Sequence, residues 1–326
     1  MKEKILALLR KTEGFVSGQL LCDTFNVSRT AVWKAINQLK NEGYIIEAVN
    51  NKGYRLVEIP DVMYEQEIKS ILHTKWFGSE ILYFDSIDST NNEIKRRGEK
   101  EGRHGMLVIA EEQTSGRGRR GHSWNSPKGS GIWMSFMLMP EIEPEKASML
   151  TLVVAMAISK AITEVTGLES KIKWPNDIVV NSHKVCGVLT ELSAEMTRIN
   201  YVVIGIGINA NTSEFPDEIK NVASSLALEC GHKVNRAAII EAIGRYFEEY
   251  YDRFMECQNL TGLIDEYNEL LINAGRQVRV ITSEGENVYT AIGIDSSGEL
   301  VVIDDNGVKT TIRSGEVSVR GLYGYV

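Results

Sequence analysis

The sequence has little of what marks secreted, membrane-spanning or metal-binding proteins. Its four cysteines form no C-x-x-C pair, so we expect free thiols in a reducing cytoplasm. Its five histidines form no H-x-x-x-H pair, and no ligand spacing predicts a protein-built metal site. The longest apolar run, near Met149 to Ile158, is far shorter than the roughly 20 residues that cross a membrane, and it predicts a buried helix. The first residues also lack the pattern of a secretory signal, so neither export nor a membrane partner is predicted.

Three familiar catalytic and nucleotide-binding motifs are missing as well. Gly-Lys never occurs, which excludes a P-loop, and no G-x-S-x-G sequence offers a serine nucleophile. The segment 116–121, GRGRRG, matches G-x-G-x-x-G, but Pro127 and two further glycines follow where a dinucleotide-binding motif needs a helix. We therefore reject a Rossmann interpretation of this loop.

Charge is distributed unevenly along the 326 residues, a length that suggests about two domains. The formal net charge is -8, yet residues 1–60 hold nine lysines and arginines against six acidic residues, whereas the remainder holds 27 against 38. A basic head on an acidic body predicts two separate tasks.

The basic head is predicted to form two short helices and a β-hairpin. Serines suited to capping begin the helices, Ser17 to Phe25 and Ser28 to about Asn41, and Asn26-Val27 turns the chain between them. Strands are predicted at Tyr44–Ala48 and Tyr54–Val57, joined by a turn with a lysine at its tip. This order resembles a winged helix-turn-helix, in which the second helix enters the DNA major groove.

The outer face of the second helix supplies the predicted DNA contacts. Side chains spaced along one helix face would meet base edges, and basic side chains would meet phosphates. The alternative is a small helical domain that binds protein, which an exposed tryptophan would also fit. One such head binds DNA weakly, so we expect a dimer that reads two half-sites of operator DNA. The predicted DNA-binding residues are Ser28, Arg29, Thr30, Trp33, Lys34, Asn37 and Lys52.

In the body, a polar segment follows the predicted strand Ile81–Phe84. Ser89, Thr90 and Asn91 offer two hydroxyls and an amide at a strand-to-helix junction. They are either ligand contacts or an ordinary helix cap, which serine and threonine provide routinely.

The next predicted strand, Met106 to Glu112, leads into an arginine-rich loop. Glycine gives this loop backbone freedom, and its arginines give planar donors suited to carboxylate or phosphate. We interpret it as a loop that closes over an anion, with a solvated basic loop or a nucleic-acid patch as the alternatives. Trp124 argues against a merely solvated loop, because a tryptophan needs something to cover. The arginines of the loop are Arg117, Arg119 and Arg120.

A second motif, KWPND at 173–177, makes a rigid bend at its proline. Asn176 and Asp177 then begin a predicted strand. The turn Asn181–His183 leads to Lys184 on the return strand, where a lysine is usually solvated. Further on, a buried strand carries Gly205 and Gly207, which predict close approach by either a packing helix or a flat ring.

The last part of the chain, from about residue 274, predicts a small β-barrel of the SH3-like type. Arg313 and Arg320 there either reach a ligand or are ordinary surface residues. The turns are predicted at Glu284-Gly285, Ser297-Gly298 and Asn306-Gly307. The strands are predicted at Gln277–Ile281, Val288–Ile294, Leu300–Ile303, Lys309–Ile312 and Glu316–Val319.

Together, GRGRRGHSWNSP, KWPNDI, KVCGVLTE and GIGIN, in this order and spacing, resemble the biotin–protein ligase family. With the winged head, the chain resembles its bifunctional members, which also repress the biotin operon. The resemblance covers essentially the whole chain and implies an α/β multidomain fold. It implies a winged helix-turn-helix in residues 1–60, a central α+β ligase domain resembling class II synthetases in 61–273, and an SH3-like β-barrel in 274–326.

The family resemblance implies a cytoplasmic enzyme with two steps. The carboxylate of biotin attacks the α-phosphorus of ATP, which carries Mg²⁺, and gives biotinyl-5′-AMP and pyrophosphate. A lysine amine of a biotin carboxyl carrier protein, or another carboxylase carrier domain, then attacks the mixed anhydride. Fixed cations would offset the repulsion between two anions, and a closing loop would exclude water. We further expect biotinyl-AMP to favour a homodimer that occupies operator DNA.

Site roles follow from the resemblance by position, except that Asp177 orienting the lysine amine is our own hypothesis. The expected catalytic residues are Lys184, Arg117, Arg119 and Asp177. The expected biotin-binding residues are Ser89, Thr90, Asn91, Gln113, Arg117, Gly118, Arg119 and Lys184. The expected nucleotide-binding residues are Arg120, Trp124, Asn176 and Asn209.

One position departs from the family, and two rival functions stay open. His122 stands where the family often has a further arginine, which puts the loop's affinity for the adenylate in question, since histidine is largely neutral at pH 7. A lipoate ligase is one rival, although the paired KWPND and GRGRRG segments favour biotin. The other rival is a transcription factor whose body only senses a small ligand.

Overall fold

The computed structural model of the protein describes residues 1–282, 285–314, 318–321 and 325–326. Within it the chain divides into two compact units, Met1–Leu72 and His73–Val326.

The first unit contains the predicted helix-turn-helix and hairpin. Ser17 and Ser28 occupy the predicted caps, since their hydroxyls accept hydrogen bonds from the backbone N–H of Leu20 and Ala31. Asn26 ends the first of these helices in a left-handed conformation, with φ of 52°. The helix-turn-helix and hairpin predictions are confirmed, whereas an additional first helix was not predicted. The elements are α1 (Lys2–Lys11), α2 (Gly18–Phe25), α3 (Arg29–Asn41), β1 (Ile45–Val49), β2 (Gly53–Glu58) and α4 (Glu65–Ile71).

Helix α4 is tied to the rest of the first unit through a buried carboxylate. Glu67 is only 1% exposed, and it accepts a hydrogen bond of 2.6 Å from the hydroxyl of Tyr44 and another from Arg10. A buried charge needs such partners to offset its lost hydration. The segment after the hairpin is therefore part of the first unit.

The second unit is built on a mixed seven-stranded sheet. Its strand order is β3-β4-β5-β9-β8-β7-β6, with β3 and β4 parallel and the other neighbours antiparallel. Because β4 and β5 are adjacent and antiparallel, the arginine-rich loop joins the end of β4 directly to the start of β5. The strands are β3 (Ile81–Phe84), β4 (Leu107–Ala110), β5 (Ile132–Leu138), β6 (Ser170–Lys173), β7 (Asp177–Val180), β8 (His183–Ala194) and β9 (Ile199–Ile208).

Helices pack against this sheet, and the most apolar of them confirms the predicted buried helix. The segment Pro144–Thr166 is long and apolar enough to cross a membrane by length and composition, but 67% of its most apolar window is buried inside the protein. It is a core helix, covered by its neighbours. The helices are α5 (Thr90–Glu101), α6 (Met149–Thr166), α7 (Leu226–Cys230), α8 (Arg236–Cys257) and α9 (Ile264–Leu270).

A smaller antiparallel sheet follows, with strand order β13-β12-β11-β10-β14. Its predicted turns at Ser297-Gly298 and Asn306-Gly307 are confirmed, since Gly298 and Gly307 have φ of 77° and 79°. Of the predicted tail elements, Glu284 and Glu316 lie outside the described residues. The strands are β10 (Gln277–Ile281), β11 (Glu286–Ile294), β12 (Leu300–Ile303), β13 (Lys309–Ile312) and β14 (Ser318–Gly321).

Candidate active site

A cleft of about 1240 Å³ in the second unit brings together every residue predicted for the enzymatic site. Segments far apart in sequence meet here, because the loops that follow β3, β4 and β9 lie at the same ends of strands that run in one direction. The turn between β6 and β7 and the first residues of β8 complete the lining. The predicted residues that line the cleft are Ser89, Thr90, Asn91, Gln113, Arg117, Gly118, Arg119, Arg120, Trp124, Asn176, Asp177, Lys184 and Asn209.

One end of the cleft, here called the polar end, consists of Ser89, Thr90, Asn91, Gln113 and Ser135. Helix α5 begins at Thr90, but the side chain of Ser89 makes no capping hydrogen bond. Gln113 Oε1 instead accepts from the Thr90 backbone N–H at 2.9 Å and from its hydroxyl at 3.1 Å. The helix-cap alternative for Ser89 therefore does not hold, and its buried hydroxyl remains at the cleft.

The polar end is held together by hydrogen bonds between buried side chains. Ser135 Oγ lies 2.6 Å from Thr90 Oγ1 and 2.5 Å from Asn91 Oδ1. Asn91 Nδ2 donates to Glu191 Oε2 at 2.7 Å. Because each of these groups positions another, the polar end is set before any ligand arrives.

The two glycines of β9 make room for side chains of the protein itself. An ideal Cβ on Gly205 would lie 2.1 Å from Asn91 Oδ1, and one on Gly207 would lie 2.6 Å from Trp124 Nε1. Gly187 of β8 lies beside the same indole, since an ideal Cβ there would be 3.0 Å from Cζ3. The close approach at Gly205 comes from the first turn of α5, as the packing-helix alternative predicted, whereas the flat ring above Gly207 is the indole of Trp124.

The arginine-rich loop folds as an irregular hairpin rather than as the start of a helix. Gly118 N donates to His122 O at 2.7 Å, and Trp124 N donates to Gly116 O at 2.9 Å. Arg120 adopts a left-handed φ of 55° within a single 3-10 turn. The next element is the strand β5, which confirms that this G-x-G-x-x-G segment is not a dinucleotide-binding motif.

A second group of lining residues, here called the cationic end, carries positive charge: Arg117, Arg119, Arg120, Lys173 and Lys184. Arg119 Nη1 donates to Asn176 Oδ1 at 2.8 Å, and burial lowers the pKa of Arg119, although a guanidinium stays charged in proteins. Asn176 is held in turn, because its Nδ2 donates to the carbonyl of Val188 at 3.0 Å.

Lys184 and Asp177 form an ion pair at the centre of the cationic end. Lys184 Nζ lies 2.6 Å from Asp177 Oδ1 and 5.2 Å from the centre of the Trp124 ring. The side chain of Lys184 is only 22% exposed, so the alternative of a solvated strand lysine does not hold. Burial favours the protonated form of Asp177, but the nearby Lys184 and Lys173 outweigh it and lower the pKa of Asp177.

Two further residues, missed by sequence reasoning, complete this region. Lys173 is 6% exposed, and its Nζ lies 3.7 Å from the centre of the Tyr325 ring. Burial, helped by the charges of Lys184, Arg320 and Arg119, lowers the pKa of Lys173 to about 8. Tyr325, which follows β14, donates a hydrogen bond to Asp177 Oδ2. Lys173 was visible as the first residue of KWPND, whereas no local pattern marks Tyr325.

The charge balance of the cleft opposes that of the whole chain. Among the described residues, seven arginines and lysines line it against two carboxylates, Asp177 and Glu214. Arg320 lies in this lining, whereas Arg313 does not, and its side chain is 78% exposed beside Glu299. The excess positive charge suits a ligand with several negative charges. Within the described part of the chain, no three His, Cys, Asp or Glu side chains are grouped to hold a metal ion.

The first unit presents a separate candidate surface on α3. Trp33 is 57% exposed, and Thr30 and Lys34 are exposed beside it. Arg29 is exposed and donates to Gln19 at 2.9 Å. The opposite face of α3 is buried, so this helix offers one outer face, as a recognition helix requires. In the hairpin, Lys52 is also exposed, and Asn37 is half-buried on α3.

Comparison with known proteins identifies three segments. A sequence model of the Biotin/lipoate A/B protein ligase family matches residues 83–209, which carry most of the cleft. An HTH domain model matches residues 2–55, and a model of the biotin protein ligase C-terminal domain matches residues 274–320.

Whole proteins show the same similarity. The bifunctional ligase/repressor BirA of Bacillus subtilis is 40% identical over 297 residues, which cover 90% of this chain and 91% of that one. BirA of Escherichia coli is 30% identical over 97% of this chain and 96% of its own. A biotin protein ligase from Aquifex aeolicus, solved in complex with biotin and ATP, matches with a TM-score of 0.65 and 30% identity over 74% of this chain and 99% of its own. The chain belongs to the biotin–protein ligase family, among its bifunctional ligase/repressors.

Proposed function

We propose that this protein ligates biotin to a carrier protein through biotinyl-5′-AMP and uses its head to repress biotin genes. The observation that carries the proposal is the meeting of a buried polar end and a cationic end in one cleft. A molecule with a polar ring system at one end and a carboxylate at the other would span these two regions.

The first step uses both ends of the cleft. The ureido group of biotin has donors and an acceptor, which complement the hydroxyl and amide groups of Thr90, Asn91 and Gln113. The biotin carboxylate then attacks the α-phosphorus of ATP, so that an acyl–phosphate bond forms and the bond to the β-phosphate breaks, releasing pyrophosphate. Lys184 and Arg119 are placed to offset the negative charge where these two anions meet.

The second step transfers the biotinyl group. The lysine amine of the carrier attacks the acyl carbon, a C–N bond forms, the C–O bond to phosphate breaks, and AMP leaves as the amine gives up a proton. Asp177 is held as a carboxylate beside Lys184, which suits it to orient the amine.

The proposal also assigns the nucleotide contacts and the metal. Trp124, which lies beside Lys184, is assigned to the nucleotide, as are Arg120 of the cleft lining and Asn209, which follows β9. Asn176 is assigned to the nucleotide as well, and its amide also holds Arg119 in place. We assign Mg²⁺ to the phosphates of ATP, where it would add to the positive charge of the cleft.

The finer fold description is also part of the proposal. We infer that the five antiparallel strands of the last sheet form an SH3-like barrel, and that the mixed sheet of the second unit is related to class II synthetases. We propose domain limits at 1–60, 61–273 and 274–326, with α4 at the start of the second domain packing within the first compact unit, and we place the protein in the cytoplasm.

The test of ligation is direct. The protein is incubated with ATP, Mg²⁺, biotin and an apo biotin-carrier domain, and the intact mass of the carrier is measured. A gain of one biotinyl group supports the ligase. If biotin binds without transfer, the body is a sensor. If neither occurs, lipoate in place of biotin tests the related enzyme class.

The DNA-binding role needs its own test. Replacing Lys34 with alanine should weaken binding to the biotin operator and reduce its salt dependence by about one phosphate contact. Lys40→Ala, at the end of α3, is the matched control. Sedimentation and operator binding with and without biotinyl-AMP then test the proposed homodimer. Equal DNA binding by monomers in both states would contradict it.

A further inference from the structure

The carboxylate of Asp177 is covered by a residue from beyond the last strand. The Asp177 side chain is 13% exposed, with Lys184 Nζ at 2.6 Å from Oδ1 and the Tyr325 hydroxyl donating to Oδ2. The ring of Tyr325 lies against Lys173, whose Nζ is 3.7 Å from the ring centre. An amine that arrives at Asp177 therefore meets a carboxylate with both oxygens engaged.

The local fold holds Tyr325 in this position. An ideal Cβ on Gly321, the last residue of β14, would lie 2.1 Å from the backbone oxygen of Val326. The backbone next to Tyr325 thus packs directly on β14, and Arg279 Nε of β10 donates to Gly321 O at 3.3 Å. Packing on the C-terminal sheet thus places Tyr325 in the cleft. There it contacts Asp177, which is 148 positions away in the sequence.

The chemistry of the contact is that of a neutral donor on a charged acceptor. Burial, together with the negative charge of Asp177, raises the pKa of Tyr325 well above its ordinary value. The hydroxyl therefore keeps its proton and donates it in the hydrogen bond. Such a donor stabilises the carboxylate and makes it a weaker acceptor for any second group.

We propose that Tyr325 is a positioning residue that covers Asp177 while biotin is activated and gives way to the carrier's lysine amine in the transfer step. The inference rests on the proposed function, because it assumes that Asp177 orients the carrier's lysine amine. It adds that Tyr325 and this amine bind the carboxylate one after the other. Activation needs no amine, so the hydroxyl can stay in place during the first step. In the second step the carrier's lysine amine takes the place of the Tyr325 hydroxyl as a hydrogen-bond donor to Asp177.

The test separates the two steps. Tyr325→Phe keeps the ring against Lys173 and removes only the hydroxyl, and Tyr289→Phe on β11 is the matched control, since it lies outside the cleft. Activation is measured by biotin-dependent ATP–pyrophosphate exchange without carrier. Transfer is measured in single turnovers from preformed enzyme–biotinyl-AMP to an apo carrier domain and to free lysine.

Tyr325→Phe should lower the KM for the carrier by about three- to tenfold, the effect of losing one competing hydrogen bond to a charged group, and should change pyrophosphate exchange by a smaller factor. Free lysine, which has no carrier surface to displace the tyrosine, should react faster by a similar factor. Gly321→Ala, which presses on the backbone of Val326, should act in the same direction with the tyrosine intact.

Two results would overturn the inference: unchanged transfer to both amines, or an equal loss in activation and transfer, which a merely structural residue would give. Wild-type protein in the same assay keeps the two proposals apart. If wild type fails to label the carrier, the proposed function fails; if wild type and Tyr325→Phe label it identically, only the role of Tyr325 fails.

Discussion

The polar end and the cationic end of the cleft differ in how firmly their side chains are held and in the ligand groups that we expect them to bind. At the polar end, Thr90, Asn91 and Ser135 are buried and bonded to one another. At the cationic end, Arg117 and Arg120 are exposed on a loop, and the buried charges rely on a single carboxylate and one amide. An uncharged ring can be met by a fixed hydrogen-bond pattern, whereas two anions that react need cations able to close around them.

Because of this difference, substitutions at the two ends should affect different properties of the protein. The buried polar groups of the polar end are hydrogen-bond partners of one another. A substitution that removes one group leaves its partner unsatisfied, so biotin affinity and protein stability should both fall. A change at the cationic end should reduce activation much more than biotin binding.

The largest effect is expected from Lys184→Met at the cationic end. It removes the cation nearest Asp177, and we expect kcat/KM for biotin activation to fall about 10²- to 10³-fold, the range found when one fixed charge-stabilising group is lost. Pyrophosphate exchange measures this directly. Lys160→Met, on the surface of α6, is the control. A loss below about fivefold would remove Lys184 from the catalytic residues.

Gly205→Ala should break the polar end. The new Cβ would lie 2.1 Å from Asn91 Oδ1, so the amide has to move and its bonds to Ser135 and Glu191 are lost. We expect biotin to bind about 10- to 100-fold more weakly, with a loss of about 1–3 kcal/mol in the free energy of unfolding. Calorimetry and thermal melting measure the two quantities.

Gly262→Ala is the matched control for that change, because no atom lies within 4 Å of a Cβ there. Normal biotin affinity in Gly205→Ala would show that the amide of Asn91 does not contact the ligand.

Lys173 should give the cationic end a pH dependence. Its pKa is lowered to about 8 by burial, so its charge is present below that pH and lost above it. If the charge attracts the reacting anions, kcat/KM for activation should fall about tenfold as the pH rises past 8, a phase that Lys173→Met should lack. Lys171→Met, on the same strand, should keep it. An identical profile in both variants would contradict the assignment.

Stability should change with pH in the opposite sense. In the unfolded chain Lys173 keeps its proton up to its ordinary pKa of 10.5, whereas in the folded protein it loses the proton near pH 8. Between these values the unfolded state binds more protons, so the contribution of Lys173 to the free energy of unfolding rises with pH. Denaturant melts of wild type and Lys173→Met across this window measure it.

The smallest effect is expected at the exposed position of His122. His122→Arg adds a cation to the loop, and we expect biotinyl-AMP to dissociate about two- to fivefold more slowly, since exposed charges contribute little. The gain should shrink at high salt, because ions screen it. His232→Arg, which is exposed outside the cleft, is the control. A gain that is insensitive to salt would contradict an electrostatic origin.

Local chemistry was enough to predict much of this protein. The capping serines and the left-handed Asn26 define the helices of the head within a few residues, because a cap satisfies backbone groups one turn away. The strands of the last sheet were predicted from the turns between them, because glycine adopts the positive φ of such turns without strain. The motif residues of the cleft were also visible as polar or glycine-rich interruptions, although their roles in it remain predictions.

Which of these side chains contact one another depended on the tertiary structure. Gln113 bonds to Thr90 across 23 positions, Asn91 lies over Gly205, and Tyr325 reaches Asp177 across 148. A sequence shows which side chains can donate, accept or carry charge, because those are properties of the residue. Which of them meet depends on sheet order and on the burial of many other side chains, so hydrogen bonds and pKa values in the cleft were fixed only when distant segments packed together.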